Sequence, residues 1–454
     1  MKIFVPEKLK KLAENLEKPL YIVGGYVRNA IAFNYLSCDI DICADMSFDE
    51  LLKVATKLGF RKTAFYKTTG TGVISDGKHQ YEFAMFRREE YSDSGEHTPI
   101  ITEATSDIKV DALRRDFKCN AVYYDIKNDE IVDPLSGLAD IGNRVLDTVR
   151  DAKAVFSRDG LRLLRLARFA SETGFIPTKE ALMGMAENAD NIKDISKERI
   201  YEELKKILSA DKRYIFSPKD GHYRGLKILD STRVLDRIIP ELTAGRGMAQ
   251  RSDYHKYDVL EHSLKTALYS DSEIRIPALL HDIGKPYALK KDGKYSRHAE
   301  YGATISRRVL NRLKADKKTI SLTAILTREH YFDTDCTTAV KKVRRFIVKN
   351  YDHIELLLKL KTADHFAHKD ETSECPTVSK WKKIIEEMQS DGTPITLKGL
   401  HITAKELKEI GYEGKEIGEE LKKLHSLCVD SPKNNDKLYL LKKATLDFKK
   451  IKKE

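Results

Sequence analysis

The sequence has no apolar run long enough to cross a bilayer, and its first residues, MKIFVPEKLKKL, contain no apolar signal core. A cytoplasmic location is therefore expected. The six cysteines are scattered and none forms a C-x-x-C pair, so neither a disulfide framework nor a zinc knuckle is indicated. These absences argue against a membrane protein and against a small disulfide-stapled secreted domain.

Positive charge is in excess. The 454 residues include 81 Lys and Arg against 70 Asp and Glu, which gives a net charge of +11. This balance favours a polyanionic partner such as a nucleic acid or a nucleotide, but does not establish one. With 41% hydrophobic residues the chain can bury a sizeable core, and its length allows two to four domains.

Two regions differ in the period of their apolar residues. From about residue 18 to 128, short runs such as LYIVGG, CDIDICA and YEFAMF alternate with amphipathic stretches such as FDELLKVATKLGF, which predicts mixed strands and helices. From about residue 156 onward apolar residues recur every three or four positions, which predicts helices. The Lys- and Glu-rich tail keeps this period and is expected to be folded.

A glycine turn precedes two alternating aspartates. Gly24 and Gly25 end an apolar run, where a backbone turn can approach a phosphate closely, and Arg28 follows in a predicted first helical turn. Asp39 and Asp41 alternate with apolar residues, so both would project from one face of a strand. Two carboxylates this close are tolerated when divalent cations bind them, and two cations can clamp a triphosphate and a 3′-hydroxyl. A solvated strand face is the alternative that a D-x-D pattern alone leaves open.

GGYVRN…CDIDIC resembles the GGxVRD…DxD motif of the class II tRNA nucleotidyltransferase and bacterial poly(A) polymerase family, within the polymerase-β-like superfamily. Asn29 stands in place of the usual Asp. DALRRDFKCNAVYYD resembles the family's RRDFTxNA element, with Lys118 in place of Thr. RDGLRLLRLARF resembles its EDxLRxLRxxRF helix, with Arg158 in place of Glu. The resemblance covers roughly residues 18 to 445.

The resemblance implies a catalytic site with Asp39 and Asp41 as ligands of two Mg²⁺ ions. Glu82, in YEFAMFR, is the candidate for a third catalytic carboxylate, and an ordinary exposed Glu is the alternative.

The resemblance also implies a nucleotide site. Asp116 would contact the ribose. Asp159 and Arg162, three apart on a predicted helix, would hydrogen-bond the base edge of CTP or ATP in place of a template. A first-turn role at a helix N-terminus is the alternative for Asp159, and both roles can coexist. The expected nucleotide-binding residues are Gly24, Gly25, Arg28, Arg114, Arg115, Asp116, Asp159, Arg162, Arg165 and Arg168.

A second constellation lies in the helical half. His281 and Asp282 stand side by side in LLHDIGKP, and His and Asp together suit a divalent metal. This run resembles the HD domain, whose pattern is H…HD…D, and two further histidines resemble the extra ligands of HD proteins that hold two metals. The expected metal ligands are His262, His281, Asp282, His298, His330 and Asp364, with Lys285 expected to hold a phosphate.

The expected HD metal is a divalent transition ion such as Mn²⁺, Ni²⁺ or Co²⁺. Phosphodiesters or phosphomonoesters, such as 2′,3′-cyclic phosphates on damaged RNA ends, are the expected substrates. Isolated structural histidines are the alternative that a lone HD dipeptide would favour.

Together these patterns predict an α+β fold: a polymerase-β-like nucleotidyltransferase head (1–135), a helical neck and RNA-binding region (136–240), an HD metal-binding body (241–375) and a helical, tRNA-binding tail (376–454). The expected function is addition of CCA to tRNA 3′ ends from CTP and ATP, with a phosphohydrolase activity at the HD site. No membrane contact and no protein partner is implied.

Two kinds of alternative stay open. Within the family, the protein could add only CC, only A, or poly(A). The segment SDSGEHTP resembles the flexible loop that switches addition from C to A, but it lacks the usual basic pair. In another class, the protein would be an HD phosphohydrolase with an inactive head.

Overall fold

The structure is a computed structural model that describes residues 2–66, 70–90, 101–250 and 256–452, so SDSGEHTP lies outside the described residues. The chain divides into two compact units, Met1–Ala244 with Val309–Asp316 and Gly245–Arg308 with Lys317–Glu454. No helix within the described ranges combines the length and the apolar character needed to cross a membrane. The finer division into head, neck, body and tail stays a prediction.

A mixed sheet organises the first unit. Seven strands in the described part of the chain follow the order β3-β4-β5-β2-β1-β8-β9, in which only the central pair β2 and β5 is parallel. Two small two-stranded sheets, β6-β7 and β10-β11, accompany it. The strands are β1 (Tyr21–Val23), β2 (Ile40–Ala44), β3 (Arg61–Tyr66), β4 (Thr71–Ser75), β5 (Gln80–Met85), β6 (Arg87–Glu90), β7 (Ile101–Ala104), β8 (Tyr123–Asp125), β9 (Glu130–Val132), β10 (Val145–Leu146) and β11 (Ile176–Pro177).

The first helices of this unit, such as α2 and α3, pack on the sheet, and those from α6 onward pack mainly on one another. The capping box of Ser47 and Glu50 begins α3, as expected for a helix that follows a turn. The helices of this unit are α1 (Glu7–Glu14), α2 (Gly25–Phe33), α3 (Phe48–Lys57), α4 (Ile108–Leu113), α5 (Gly137–Asn143), α6 (Ala152–Arg158), α7 (Leu161–Thr173), α8 (Lys179–Glu187), α9 (Lys197–Leu208), α10 (Gly221–Ser231), α11 (Val234–Ile238) and α12 (Pro240–Thr243).

The described residues of the second unit form helices joined by loops and turns, with no strand among them. Its helices are α13 (Val259–Leu268), α14 (Arg275–Leu280), α15 (Lys285–Asp292), α16 (His298–Arg312), α17 (Lys317–Glu329), α18 (Val340–Lys349), α19 (Ile354–Lys369), α20 (Pro376–Ser390), α21 (Ala404–Ile410), α22 (Lys415–Asp430) and α23 (Lys437–Ile451). Short 3-10 helices span Lys118–Asn120, Ala189–Asp194, Ala210–Lys212, Ser272–Ile274, Tyr351–His353, Leu397–Gly399 and Pro432–Asn434. The predicted α+β class is confirmed.

Two apolar clusters form the core of the second unit. One gathers around the fully buried Trp381 of α20, and the other, further along the chain, around Leu424 and Tyr412. Arg344 of α18 links the two regions, because its Nε donates to the carbonyl oxygen of Val429 (2.7 Å). The tail is therefore packed against the helices before it.

The structure changes two expectations about local geometry. Strand β2 begins at Ile40, so Asp39 precedes the strand that carries Asp41. Helix α7 begins at Leu161, so Asp159 precedes the helix that carries Arg162, and its Oδ1 accepts the N–H of Leu161 (2.9 Å). The helix-end role of Asp159, which the sequence left as an alternative, is therefore present.

Gly72, on strand β4, allows a test of the packing of the first unit. A Cβ at this position would lie 2.3 Å from the ring of Phe48, which is buried and stacked on Phe65. Gly72→Ala is expected to destabilise the first unit by about 1–3 kcal/mol, because overpacking forces the ring to move. The measurement is the thermal unfolding of the full chain. Gly142→Ala, in helix α5 where a Cβ meets nothing within 4 Å, is the control and is expected to cause no loss. Equal stability of the two variants would contradict this packing.

Candidate active cleft and candidate metal centre

Asp41 lies on the central strand between two strands that shape its surroundings. It pairs with Val23 on β1 and with Glu82 on β5. Gly24, which follows Val23, has φ +80°, and a Cβ there would lie 3.1 Å from Asp41 Oδ2. Glycine therefore lets the turn pass close to the carboxylate, and the sheet register brings Glu82 beside it.

The surroundings of Asp41 oppose its negative charge. Asp41 is exposed to solvent within a cleft, and the surrounding protein partly desolvates its carboxylate. This desolvation, with the negative charges of Glu82 and then Asp39, outweighs the nearby arginines and raises the pKa of Asp41 to about 6. A divalent cation would relieve this crowding, and carboxylate oxygens are the donors that Mg²⁺ prefers.

Asp39 is exposed and makes an ion pair that the sequence did not predict. Its Oδ2 accepts a hydrogen bond from a guanidinium N–H of Arg213 (2.7 Å), 174 positions away in the chain. No local pattern near Arg213 indicates this contact, because it arises only when the segment after α9 folds back to the cleft.

A cavity of about 520 Å³ opens in front of these carboxylates. Its lining carries seven basic side chains against three acidic ones, so the cleft suits an anionic ligand such as a triphosphate. The charged lining residues are Arg28, Arg115, Arg165, Arg168, Lys206, Lys212, Arg213, Asp39, Asp41 and Glu172, and Gly24 and Gly25 also line it.

Arg28 is buried at the base of the cleft and is fixed by two amides. Its Nε and a terminal N–H donate to Asn29 Oδ1 (3.1 and 2.9 Å), and the other donates to Asn120 Oδ1 (2.6 Å). Asn29, where the family pattern has Asp, thus still supplies the acceptor oxygen. Its buried Nδ2 finds no hydrogen-bond partner among the described residues.

Phe169 of helix α7 holds three cationic side chains together. The guanidinium carbons of Arg28, Arg165 and Arg168 lie 5.1, 5.1 and 4.5 Å from its ring centroid. Each contact is a cation–π interaction, which offsets some of the repulsion among the three like charges. Arg168 and Phe169, which end the RDGLRLLRLARF motif, both line the cleft.

Arg114 and Arg115 are both anchored by one buried carboxylate that the sequence reasoning missed. Asp111 accepts from Arg114 Nε (2.7 Å), a terminal N–H of Arg115 (3.2 Å) and the Tyr123 hydroxyl (2.7 Å). Burial opposes the charge of Asp111, but the two guanidiniums keep its pKa below the usual value. Asp111 lies on helix α4, three and four residues before the two arginines that follow the helix, and this spacing was the available signal.

Asp116 also engages an arginine of helix α7. Its Oδ2 accepts from Arg165 Nε (2.7 Å), and its Oδ1 accepts from Asn120 Nδ2 (3.1 Å). Burial opposes the negative charge of Asp116, but Arg165 and the hydrogen bond from Asn120 lower its pKa to about 2. Asp116 is therefore a fixed anion directly behind the lining arginine.

Asp159 and Arg162 lie together but behind the cavity lining. Arg162 Nε is 3.6 Å from Asp159 Oδ2, and a terminal N–H of Arg162 donates to the Arg114 carbonyl oxygen (2.6 Å). Both side chains are buried. Burial raises the pKa of Asp159 to about 6, with Arg162 opposing the shift.

A second cluster lies in the helical unit around Asp282, whose two oxygens face two groups of histidines. Asp282 Oδ2 lies 3.2 Å from His281 Nε2 and 3.6 Å from His262 Nε2. Asp282 Oδ1 lies 3.3 Å from His298 Nε2 and 3.6 Å from His330 Nε2. Asp364 Oδ1 closes the first group, 2.9 Å from His262 Nε2. All six predicted metal ligands are thus close together.

Main-chain carbonyls orient three of these histidines. The Nδ1 atoms of His281, His298 and His330 lie 2.7–2.8 Å from the carbonyl oxygens three residues earlier in the chain. An imidazole that donates from Nδ1 presents the lone pair of Nε2, and here each Nε2 points to the carboxylates. The buried Nε2 of His281 makes no hydrogen bond within the described residues. These donors fit a divalent metal.

Lys285 lies against the cluster. Its ammonium is 2.6 Å from Asp282 Oδ2 and donates to Gln250 Oε1 (2.6 Å). Lys285, the residue predicted to hold a phosphate, therefore lies beside the predicted metal-ligand carboxylate and supplies positive charge to the cluster.

Comparison with known protein families identifies three successive segments of the chain. Three family models match: the poly A polymerase head domain over residues 20–147, the probable RNA and SrmB-binding site of polymerase A over 174–245, and the HD domain over 254–367. The multifunctional CCA protein of Xylella fastidiosa (strain 9a5c) is 30% identical over 328 residues, which are 68% of this chain and 73% of that protein. The chain belongs to the family of CCA-adding tRNA nucleotidyltransferases and bacterial poly(A) polymerases with an HD domain.

Other members of this family agree in extent and fold. The multifunctional CCA protein of Shewanella frigidimarina is 28% identical over 325 residues, 68% of this chain and 73% of that protein. The Bacillus stearothermophilus CCA-adding enzyme, solved with CTP, shares 19% identity at a TM-score of 0.65 and covers 99% of this chain and 100% of its own. The Thermotoga maritima CCA-adding enzyme, complexed with tRNA-CCA, shares 15% identity at a TM-score of 0.57, with 98% and 96% covered. The family and fold predicted from the motifs are confirmed.

Asp111→Asn tests the anchoring of the paired arginines. Removal of this charge leaves two buried guanidiniums without their main counter-ion, which costs about 3 kcal/mol or more. We expect a lower unfolding temperature of the first unit and weaker nucleotide binding, measured by calorimetric unfolding and by nucleotide titration. Asp107→Asn, at the exposed N-cap of the same helix, is the control, since Asn caps a helix as well as Asp. An unchanged nucleotide affinity in Asp111→Asn would contradict the positioning role.

Proposed function

We propose that this protein adds C, C and A to the 3′ end of tRNA, using CTP and ATP as substrates. The observation that carries this proposal is the crowded carboxylate group of Asp41, Glu82 and Asp39 at the edge of an arginine-lined cleft. Relatives named multifunctional CCA proteins, and solved CCA-adding enzymes with CTP and with tRNA, support this choice of substrates.

Asp39, Asp41 and Glu82 would hold Mg²⁺. When bound, these ions supply activation of the 3′-hydroxyl and charge neutralisation of the departing pyrophosphate. Arg28, held by two amide oxygens, offers a fixed guanidinium at the base of the cleft. Fixed donors need no reorganisation when charge develops, so Arg28 and Arg115, which both line the cleft, would bind the triphosphate.

Base selection is assigned to Asp159 and Arg162. An Asp carboxylate accepts from an exocyclic amino group, and an Arg guanidinium donates to ring nitrogens or carbonyl oxygens, so the pair can favour C or A over G and U. The Arg162 hydrogen bond to the Arg114 carbonyl oxygen links this pair to the triphosphate-binding segment. Asp116, with its Oδ2 already engaged by Arg165, would contact the ribose through that network.

The HD cluster supports a second activity, hydrolysis of phosphate esters with Mn²⁺, Ni²⁺ or Co²⁺. Its donors, imidazole nitrogens and carboxylate oxygens, suit these ions, and Lys285 provides a cation for the substrate phosphate. The proposed substrates include 2′,3′-cyclic phosphates at damaged RNA ends.

Nucleotide addition is tested with tRNA transcripts ending at the discriminator base, at C or at CC, incubated with Mg²⁺ and labelled NTPs. We expect addition of C, C and A followed by arrest. Asp41→Asn is expected to lose about 10³-fold in rate, because several kcal/mol of transition-state stabilisation by bound ions disappears. Asp45→Asn, which removes only the surface pair with Lys18, is the control and should retain its rate.

Other patterns in this assay assign other functions. Only CC, only A or a long A tail would move the protein to the matching alternative in the family. No incorporation, in a protein that still hydrolyses phosphate esters, would leave an HD phosphohydrolase with an inactive head.

The HD activity is tested with 2′,3′-cyclic AMP and bis-p-nitrophenyl phosphate after chelation and reloading with each ion. Asp282→Asn is expected to abolish hydrolysis, since both groups of histidines lose their shared carboxylate, while CCA addition continues. Asp271→Asn, on the surface of the same unit, is the control. Absence of hydrolysis with all three ions in the unsubstituted protein would contradict this activity.

A further inference from the structure

His368 lies at the candidate metal centre, although no sequence pattern pointed to it. It follows Asp364 by one turn of helix α19, and its Nε2 is 3.4 Å from Asp364 Oδ1. Its ring stacks on that of His262 with centroids 5.3 Å apart. The HD family model matches residues 254–367 and ends one residue before it.

Asp364 Oδ1 is the meeting point of three imidazoles. The Nε2 atoms of His262, His368 and His281 lie 2.9, 3.4 and 3.5 Å from it. Two ligands of one metal ion, each about 2.1 Å from it, are about 3.0–3.4 Å apart in octahedral or tetrahedral geometry. Each of these three separations from Asp364 Oδ1 is compatible with two ligands of the same ion. Ligand atoms of His262, Asp364 and His368 also lie within 4.8 Å of one another.

The donors on the two sides of Asp282 are unequal in number. One side has Asp282 Oδ2, Asp364 and three histidines, His262, His281 and His368. The other has Asp282 Oδ1, His298 and His330, whose Nε2 atoms are 3.3 Å apart. Sites closed by protein ligands are typically structural, whereas three protein ligands leave positions for water or substrate.

We propose that His368 is a metal ligand that closes the first position, so that the HD centre holds one tightly bound ion and one open, exchangeable ion. This inference rests on the proposed HD function. The competing role for His368 is a plain hydrogen bond to Asp364 at the rim of the site, without a metal contact.

Metal titration of the full chain separates these roles. Protein freed of metal by chelation is titrated with Mn²⁺ in a calorimeter, with bound ions counted by elemental analysis. We expect two ions per chain in two phases. His368→Ala and the less disruptive His368→Gln should weaken the tight phase at least about tenfold and leave the weak phase in place. His330→Ala should remove only the weak phase.

His365→Ala is the matched control, because His365 lies on the same helix but its Nε2 is 3.1 Å from the Ser373 hydroxyl. It should change neither phase. The absorption spectrum of bound Co²⁺ gives a second readout, which should change in both His368 variants and not in the control. Unfolding of each metal-free variant checks that the fold is retained.

An unchanged tight phase in both His368 variants, or two equivalent ions in the unsubstituted protein, would overturn the inference while leaving the proposed hydrolysis standing. A weakened tight phase in a protein that hydrolyses no phosphate ester would support His368 as a ligand and would contradict only the proposed hydrolysis. Failure of the unsubstituted protein to bind Mn²⁺ would overturn both.

Discussion

The central constraint is that strand pairing places the Asp41 carboxylate among other charged side chains. Its neighbours on the sheet are the strand that ends in the glycine turn and the strand that carries Glu82. The register of β2 determines which residues lie beside Asp41. It places Glu82 on one side and Val23, which precedes the Gly24 turn, on the other. The cost of this arrangement is repulsion among carboxylates in a cleft that water reaches only in part, and a bound cation offsets that repulsion.

The arginines that line the cavity repel one another, because several positive charges lie close together there. Each lining guanidinium has a partner that fixes it: amide oxygens for Arg28, Asp111 for Arg115, Asp116 for Arg165, Glu203 for Arg168 and Asp39 for Arg213. The ring of Phe169 adds a shared cation–π surface. Buried charges are tolerated when they are paired and hydrogen-bonded, and the pairing also fixes the direction of the remaining donors. The cleft is thereby prepared for an anionic ligand.

The HD centre applies the same principle with imidazoles in place of guanidiniums. Asp282 serves both groups of histidines, and main-chain carbonyls fix three of the rings. Because these carbonyls lie three residues before each histidine, the orientation is built into the local helix ends rather than supplied by distant side chains. A site assembled in this way keeps its donors in position before a metal arrives.

Local motifs were sufficient to predict the fold class, the carboxylates on or beside β2, and the residues that cluster around Asp282, because each motif combines a residue type with a fixed backbone spacing. The contacts that the sequence did not indicate come from elsewhere in the chain. Arg213 meets Asp39 across 174 positions. Asp111 and His368 stand one helical turn from recognised residues, so their spacing was visible but their direction depended on tertiary packing. The expectation that Asp159 and Arg162 share one helix was wrong. Asp159 lies two residues before the first residue of α7, Leu161, and accepts its N–H.

The most direct measurement is a crystal structure of the full chain with Mn²⁺ and a non-hydrolysable CTP analogue, read by anomalous scattering. We expect Mn²⁺ peaks at Asp41 and its neighbouring carboxylates, with the triphosphate against Arg28 and Arg115. A nucleotide bound elsewhere, or bound in this cleft with no Mn²⁺ at Asp41, would contradict this expectation.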